Sequence, residues 1–317
     1  MTTHPDAVSA TSLQPPEAGL ASPFAGGGLL DVFRRRYLLK LLVQKEVRSR
    51  YQGSILGLLW SYIQPLVRFC MYFFVIGLVL GVHKSVPNFA IHMFAAIVGV
   101  HFFTETFSSG TRSIVKNKAI VRKMAMPREM FPVSAVIVSA INTFPQLLIL
   151  FVAAVAVGWR PDPVGLLAGV LGVAIITVLG TALALLFAGM NVFFRDFQNI
   201  VATFSLFTHW IVPMIYPFER LATSGLASNS LFYAAYLSNP LTIAVLLLQR
   251  AVWIPTVLGK GTGGGHHFPS NVKDIGFPIL PHHYMLLGWL SLVASGIILV
   301  LCQLAFQRLE GKFAERL

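Results

Sequence analysis

Residues 164–189 form a long uncharged stretch of the chain and read VGLLAGVLGVAIITVLGTALALLFAG. A helix of this length exceeds the roughly 30 Å of a bilayer's hydrocarbon core, so the stretch predicts a transmembrane helix. Five more apolar stretches are long enough to cross, although the fifth of the six is the shortest and contains Pro213. The sequence therefore predicts an all-α integral membrane protein whose six transmembrane helices lie near 58–82, 90–109, 132–158, 164–189, 200–216 and 284–306.

The composition excludes a conventional soluble enzyme. Of the 317 residues, 56% are hydrophobic and only 11% are charged, whereas soluble domains carry about 25% charged residues. The formal net charge of +12 indicates cytoplasmic anchoring loops before it indicates an anionic partner. Outside the predicted spans, the first, third, fifth and last segments together contain 17 Lys and Arg residues, and the segments between them contain 6. We therefore expect both termini in the cytoplasm and no nucleic-acid partner.

The N-terminal region divides into a tail and a helix. Residues 1–36 begin with a stretch rich in Pro, Ala, Ser, Thr and Gly, which predicts a flexible cytoplasmic tail. Residues 37–51 place Leu39, Leu42 and Val47 on one helical face and Arg48 on the opposite face, the pattern of an amphipathic helix in the membrane interface. A plain juxtamembrane anchor remains the alternative. The rest of the chain, 37–317, is predicted to be one transmembrane domain.

Residues 217–283 do not resemble a simple external loop. The apolar run between Pro240 and Pro255 is too short to cross the membrane with Arg250 inside it, so the sequence predicts a re-entrant external hairpin. A Gly-rich excursion, 261–267, precedes further polar residues. Two histidine pairs, 266–267 and 282–283, lack carboxylate or cysteine companions at ligand spacing, so we expect no metal site.

Several short motifs follow one another along the chain. Residues 50–60 read RYQGSILGLLW, and the later motifs are KNKAIVRK at 116–123, PREMFP at 127–132, FFRD at 193–196, PMIYP at 213–217, NPL at 239–241 and FQRLEGKFAE at 306–315. In order and content they resemble the signatures of the membrane subunits of ABC-2 type exporters for polysaccharides, which move O-antigens, capsular chains, teichoic acids and galactan. Val212 replaces the serine usual in the fifth motif, and the tail and residues 253–283 depart from the family.

The resemblance implies a permease subunit in the bacterial cytoplasmic (inner) membrane, working as a homodimer with two copies of a separate ATPase subunit. The chain has no phosphate-binding GxxxxGK[ST] motif, so ATP and Mg would be bound by that partner and the chain itself would need no cofactor. A basic, partly apolar loop would dock as a coupling helix on the ATPase, through Lys118, Arg122, Lys123, Pro127, Arg128 and Glu129. Ordinary positive-inside anchoring is the alternative reading of this loop.

The expected substrate is a polyprenyl-diphosphate-linked polysaccharide that enters where the interface helix meets the first span. The permissive backbone of two glycines allows a sharp bend there, and nearby basic residues would receive the diphosphate. The predicted entrance and gate comprise Lys45, Arg48, Arg50, Gly53, Ser54, Gly57 and Trp60. Simple attraction of these basic residues to anionic membrane lipid remains the alternative.

Aromatic side chains suggest where the sugar chain passes. Their flat faces suit the apolar faces of sugar rings, although packing against lipid also explains them. Arg68 lies near the middle of the first span and would contact the polymer, pair with Glu105 or extend toward the interface. The predicted channel lining is Tyr62, Arg68, Phe69, Tyr72, Phe73, Phe204, Phe207 and Trp210.

Two other functions fit the sequence less well. A membrane-embedded glycosyltransferase would need acidic residues for metal or base chemistry, and the chain has only five aspartates and no D-x-D pair. An ion-coupled carrier should show several carboxylates within its spans and an internal repeat, and Glu105 is the only candidate carboxylate.

Overall fold

The computed structural model describes residues 28–316 apart from positions 85, 125, 223, 225–229 and 259–279. The excursion 261–267 and the His266–His267 pair therefore lie outside the described residues. The described part of the chain is helical, with short 3-10 turns at Gly57–Leu59 and Val82–Lys84. The α-helices are α1 Gly28–Arg34, α2 Arg36–Tyr51, α3 Trp60–Tyr72, α4 Phe89–Lys116, α5 Lys118–Lys123, α6 Met130–Ala156, α7 Pro163–Phe193, α8 Phe197–Ile211, α9 Phe218–Ala222, α10 Ser230–Leu237, α11 Pro240–Val252, α12 Ile254–Leu258, α13 Tyr284–Glu310 and α14 Phe313–Arg316.

Six helical segments of the described chain are long and apolar enough to cross a membrane. Five of them overlap predicted spans: Trp60–Val79, Phe89–Lys116, Met130–Ala156, Pro163–Phe193 and Tyr284–Glu310. The first continues α3 through wider π-helical turns at Phe73–Val79. The second runs seven residues past its predicted end at residue 109, so Arg112 and Lys116 belong to α4 and not to a loop.

The predicted fifth span, 200–216, needs correction. The helix there, α8, has only 15 residues and ends at Ile211, so at 1.5 Å per residue it is about 22 Å long. The sixth segment that is long and apolar enough is Pro240–Val257, which lies in the region predicted to be re-entrant. Sequence reasoning rejected it because of Arg250, whose charge is neutralised by Asp162 in the folded protein.

The helix α4 lies at the centre of the bundle, because it contacts α6, α7, α8 and α11. Gly110 of α4 permits close approach to α7, since a Cβ atom placed there would lie 2.4 Å from the Cβ of Ala184. Small residues at a helix contact are typical of membrane bundles. The Asn191 side chain also donates to the carbonyl of Thr111 over 3.2 Å. A Cβ atom at Gly180 would lie 3.0 Å from Thr106, so the contacts advance in the same direction along both helices, and α4 and α7 run in parallel.

The bundle has two chemically different ends. The helices α4 and α7 end where α6 begins. Ser109 lies 3.2 Å from Ser139, and His101, earlier in α4, lies 3.0 Å from Gln146, later in α6, so α6 is antiparallel to α4. We call this end the basic end, because exposed cations gather on and around α5. They include Lys116, Lys118, Arg122, Lys123 and Arg195. The opposite end carries the starts of α4, α7 and α13.

From the basic end, α8 and then α11 lead the chain to the opposite end of the bundle. Phe197, at the start of α8, packs against Phe187 near the end of α7 with ring centroids 5.8 Å apart. The Gln249 side chain of α11 donates to the carbonyl of Pro213, just beyond α8, over 2.8 Å. Trp253, directly after α11, donates to the carbonyl of Pro87 beside the start of α4. The re-entrant course of this region stays a prediction.

The predicted tail 1–36 is too long by at least nine residues. Residues 28–34 form α1, and α2 begins at Arg36. Val32 is fully buried, in a cluster that includes Leu42, Phe306 and Phe313 at the basic end. Because α1 buries this apolar side chain against α2 and α13, it is part of the folded domain. Residues 1–27 lie outside the described part.

Candidate functional site

The connection between α2 and α3 bends at glycines, as the sequence predicts. The φ angles of Gly53 and Gly57 are +79° and +47°, in the left-handed region that other residues rarely occupy. The Ser54 hydroxyl accepts a hydrogen bond from the Gly57 backbone N–H at 3.1 Å. The chain then passes through one 3-10 turn into α3 at Trp60, whose indole is partly exposed. The helix α2 coincides with the predicted amphipathic helix and buries Leu39 and Leu42 against the bundle, while its position in the membrane interface stays a prediction.

An ionic network fastens α2 to the end of α4. Glu46 accepts hydrogen bonds from Lys116 at 2.5 Å and from the Asn117 amide at 3.2 Å. Lys45 approaches both Glu46 and Asn117. Burial alone would raise the pKa of Glu46, but the hydrogen bonds from Lys116 and Asn117 and the charges of Lys116 and Lys45 lower it. Lys45, predicted to receive a diphosphate, therefore already has partners within the chain.

Arg50, at the end of α2, forms a second ionic contact with α4. Its Nη1 lies 2.5 Å from Oε1 of Glu105 on α4. Of the alternatives predicted for Arg68, the pair with Glu105 is not found among the described ion pairs, because α2 brings the guanidinium of Arg50 to this carboxylate. Arg48 is exposed, and no ion pair to it is found among the described residues.

Two polar cavities meet at Arg50. The first, which we call the inner cavity, lies between α3, α4 and α6 and has a volume of about 220 Å³. The second lies between α2, α4 and α6, nearer the basic end, and has a volume of about 270 Å³. Their walls include Ser54, Trp60, Gln64, His101 and Gln146 in the first, and Glu46, Glu105, Ser109, Arg112 and Lys116 in the second. The predicted entrance residues Arg50, Ser54 and Trp60 thus all line the inner cavity. We call the two cavities together the polar crevice.

The residues predicted to line a channel fall into three groups. Phe69 packs on Phe94 of α4 with ring centroids 4.8 Å apart, and Phe73 stacks on Phe89 at 6.4 Å. These two rings therefore join the core of the chain itself. Phe204, Phe207 and Trp210 lie on the outer face of α8 and are 47%, 61% and 65% exposed. Tyr62, Arg68 and Tyr72 are half-buried on α3, and channel lining by any of these residues stays a prediction.

The residues predicted to couple to an ATPase also divide. Lys118, Arg122 and Lys123 are exposed on α5. Pro127, Arg128 and Glu129 are buried, which corrects the expectation that they offer a docking surface. Arg128 donates to the carbonyl of Glu310 at 2.5 Å and lies over the ring of Phe313. Glu129 accepts from Gln303 at 2.9 Å. This part of the loop is anchored on α13 and α14.

Sequence reasoning missed an ion pair at the opposite end of the bundle. Arg250 of α11 meets Asp162 with two bonds, Nη1 to Oδ1 at 2.9 Å and Nη2 to Oδ2 at 2.6 Å. Asp162 also caps α7 by accepting from the Gly165 backbone N–H at 3.0 Å. Burial alone would raise the pKa of Asp162, but these hydrogen bonds and the Arg250 charge lower it. The Asp-Pro dipeptide that opens α7 is an N-cap signal and could have marked Asp162.

Six described helical segments that are long and apolar enough to cross a membrane, packed in one bundle with a basic end, form the architecture of a polytopic membrane protein. A family model described as ABC-2 type transporter matches residues 37–251. This match covers more than half of the chain, so the chain belongs to the ABC-2 type transporter family.

Relatives support the same class. The chain is 29% identical over 191 residues to the O-antigen export system permease protein RfbA of Myxococcus xanthus, covering 60% of this chain and 72% of that protein. It is 26% identical over 185 residues to a protein of the same name from Klebsiella pneumoniae, covering 58% and 70%. These findings confirm the predicted fold class and the predicted role as a transport subunit of an ABC exporter and not an enzyme. They favour neither the glycosyltransferase nor the ion-coupled carrier.

Proposed function

We propose that the chain exports a lipid-linked polysaccharide across the bacterial inner membrane, as the permease of an ATP-driven exporter. The observation that carries this proposal is the polar crevice at Arg50, which opens where the interface helix bends into the first span. A diphosphate-linked glycan needs such a polar path past the hydrocarbon region. The relatives are named as O-antigen export permeases, which favours a polysaccharide as cargo.

In this proposal the basic end faces the cytoplasm. Lys118, Arg122 and Lys123 are exposed there, as the positive-inside tendency of membrane proteins requires. The exposed cations of α5 then bind the ATPase subunit, of which two copies serve a homodimer. The exposed aromatic face of α8 supports the dimer, because a partner protomer across it would enclose a path lined by Phe204, Phe207 and Trp210.

Arg48 and Arg50 receive the diphosphate. Arg48 is exposed, so its guanidinium can form a bidentate contact with phosphate oxygens. Arg50 uses Nη1 for Glu105 and retains other N–H donors. Lys45 contributes its charge but not a bidentate contact, because an ammonium binds as a point charge.

Reconstitution with the partner ATPase tests the function. Vesicles of constant anionic lipid content are given an oligosaccharide linked to undecaprenyl diphosphate, and ATP hydrolysis and glycan export are measured. Export that needs ATP supports the proposal, and export driven by an ion gradient alone would contradict it.

The same vesicles test the diphosphate site. We expect both Arg48→Ala and Arg48→Lys to reduce substrate-stimulated ATP hydrolysis by about tenfold. Arg34→Lys, a cationic change on α1 outside the crevice, serves as the matched control. Wild-type rates in both Arg48 variants and in Arg50→Lys would leave α2 as a membrane anchor only.

A further inference from the structure

The inner cavity contains a buried amide that lacks a complete set of hydrogen bonds. Gln146 of α6 is 1% exposed. Its Nε2 lies 3.0 Å from Nδ1 of His101 on α4. Its Oε1 is buried and has no hydrogen-bond partner within the described structure. A buried amide oxygen without a partner is costly, and Gln146 lines the inner cavity, where a bound ligand or an ordered water would supply the missing donor after a small rotation of the side chain.

The chemistry of the cavity wall selects among ligands. The neutral donors and acceptors are hydroxyls, amides and one imidazole, from Ser54, Ser61, Gln64, His101, Asn142 and Gln146. Arg50 is the only charged residue on the described wall, and Glu105 already balances it. Beyond Arg50, which the proposed function assigns to the diphosphate, the described wall offers an anion no further cation, and it offers a metal cation no carboxylate. A neutral molecule with several hydroxyl groups matches these partners best.

Shape and size agree with a single sugar ring. The volume of about 220 Å³ is below the roughly 300–1,000 Å³ of sites for drug-sized ligands. Trp60 and Pro65 add two flat apolar surfaces to the polar wall. A pyranose ring combines hydroxyl groups at its edge with apolar C–H faces, so it can use both kinds of surface.

We propose that the inner cavity binds one neutral sugar residue of the lipid-linked substrate, with Gln146 and His101 as its hydrogen-bond partners. The inference rests on the proposed function, because the sugar enters attached to its lipid carrier. Arg50 borders the cavity, so a diphosphate held at Arg48 and Arg50 places the adjoining sugar at its opening. The site recognises the first sugar of the polysaccharide and thereby contributes to substrate selection.

Binding measurements with two defined lipids test the site. The permease–ATPase complex in nanodiscs is titrated with undecaprenyl diphosphate and with undecaprenyl diphosphate bearing one N-acetylhexosamine. We expect the wild type to bind the sugar-bearing lipid about tenfold more tightly, the worth of one or two buried hydrogen bonds. Gln146→Met keeps the side-chain length without the amide, and it should abolish this preference while leaving the affinity for the bare lipid unchanged.

His101→Leu removes the partner of Gln146 and should give the same loss, so the test does not depend on one variant folding. Gln198→Leu, a half-buried glutamine on α8 outside the cavity, should keep the tenfold preference. Equal wild-type affinity for both lipids, or a preference that survives in Gln146→Met, would mean that the cavity holds water only and would overturn the inference. Failure of the proposed function looks different, because neither lipid would then bind or stimulate ATP hydrolysis.

Discussion

Arg50, at the end of the interface helix, forms a salt bridge with Glu105 in the middle of α4, with 2.5 Å between Nη1 and Oε1. The two residues are 55 positions apart in the chain. Their contact fixes the end of α2 beside the two polar cavities, and it balances a carboxylate that would otherwise stand alone in a membrane span. The pair therefore links the proposed substrate entrance to the central helix.

A double-mutant cycle should detect this link. Arg50→Ala and Glu105→Ala each lower the thermal stability of the purified permease, and the double variant loses less than their sum. We expect a coupling free energy of about 0.5–1 kcal/mol, because Arg50 is partly exposed. Lys40→Ala, on the exposed side of α2, is the control for loss of a cation. Strictly additive losses would show that the two residues act independently.

The glycine bend should resist substitution for reasons of backbone geometry alone. Gly53 has φ of +79°, and no atom lies within 4 Å of a Cβ built there. Gly53→Ala should therefore cost about 1 kcal/mol through strain and not through collision. Gly296→Ala on α13 also meets no atom within 4 Å but has ordinary helical geometry, so it should cost nothing. Thermal unfolding in nanodiscs compares them, and equal stability of the two variants would remove the argument for strain.

In the basic loop between α4 and α6, we expect the exposed residues Arg122 and Lys123 to bind the ATPase and the buried residues to stabilise the fold. Reversal of charge in Arg122→Glu/Lys123→Glu should lower ATPase-driven export by about tenfold or more, through electrostatic mismatch with the partner. The folded permease should be unaffected, because both residues are exposed. Export and thermal stability are measured on the same preparations. Full export by this double variant would contradict the coupling role.

Arg128 should behave in the opposite way. Arg128→Ala removes the hydrogen bond to the Glu310 carbonyl and the contact with Phe313. We expect a loss of about 2 kcal/mol in thermal stability, since a buried charged hydrogen bond is lost. Export falls only in proportion to folded protein. Normal stability combined with uncoupled ATP hydrolysis would instead place Arg128 at the ATPase contact.

The ion pair between Arg250 and Asp162 should make stability depend on pH. The pKa of Asp162 in the folded protein is below its ordinary value of 3.8, so the pair stabilises the fold above pH 3.8. This contribution is lost as the pH falls from that value through the lower folded pKa. Thermal melts between pH 7 and pH 2.5 should show a loss below about pH 4 that is weaker in Asp162→Asn. The same acid loss in wild type and variant would assign it to other carboxylates.

The orientation of the bundle can be tested by cysteine labelling. In a background of Cys70→Ala, because Cys70 is exposed and Cys302 is buried, single cysteines replace exposed Ala119 and Pro161 at opposite ends. A reagent confined to the exterior of cells should label the cysteine at position 161 and not the one at 119. Labelling at 119 alone would reverse the proposed orientation.

The sequence by itself determined much of the architecture, because its signals are local. Uninterrupted apolar stretches such as 164–189 require a helix that crosses the membrane, and alternating apolar and basic residues define α2. Glycines at 53 and 57 mark the bend, since few other residues adopt positive φ. The family motifs are short and contiguous, so they could be read without knowing which helices meet.

Only the tertiary structure decided which charges meet and which are buried. Asp162 and Arg250 are 88 residues apart, and no periodic pattern shows that α11 lies beside the start of α7. For that reason sequence reasoning took Arg250 as an obstacle to crossing the membrane, and it offered Arg68, not Arg50, as a possible partner of Glu105. Arg128 looked like part of a basic surface but is covered by Phe313 and Glu310. The cost of a charge in a membrane protein depends on its neighbours in space, which only the packing of the helices specifies.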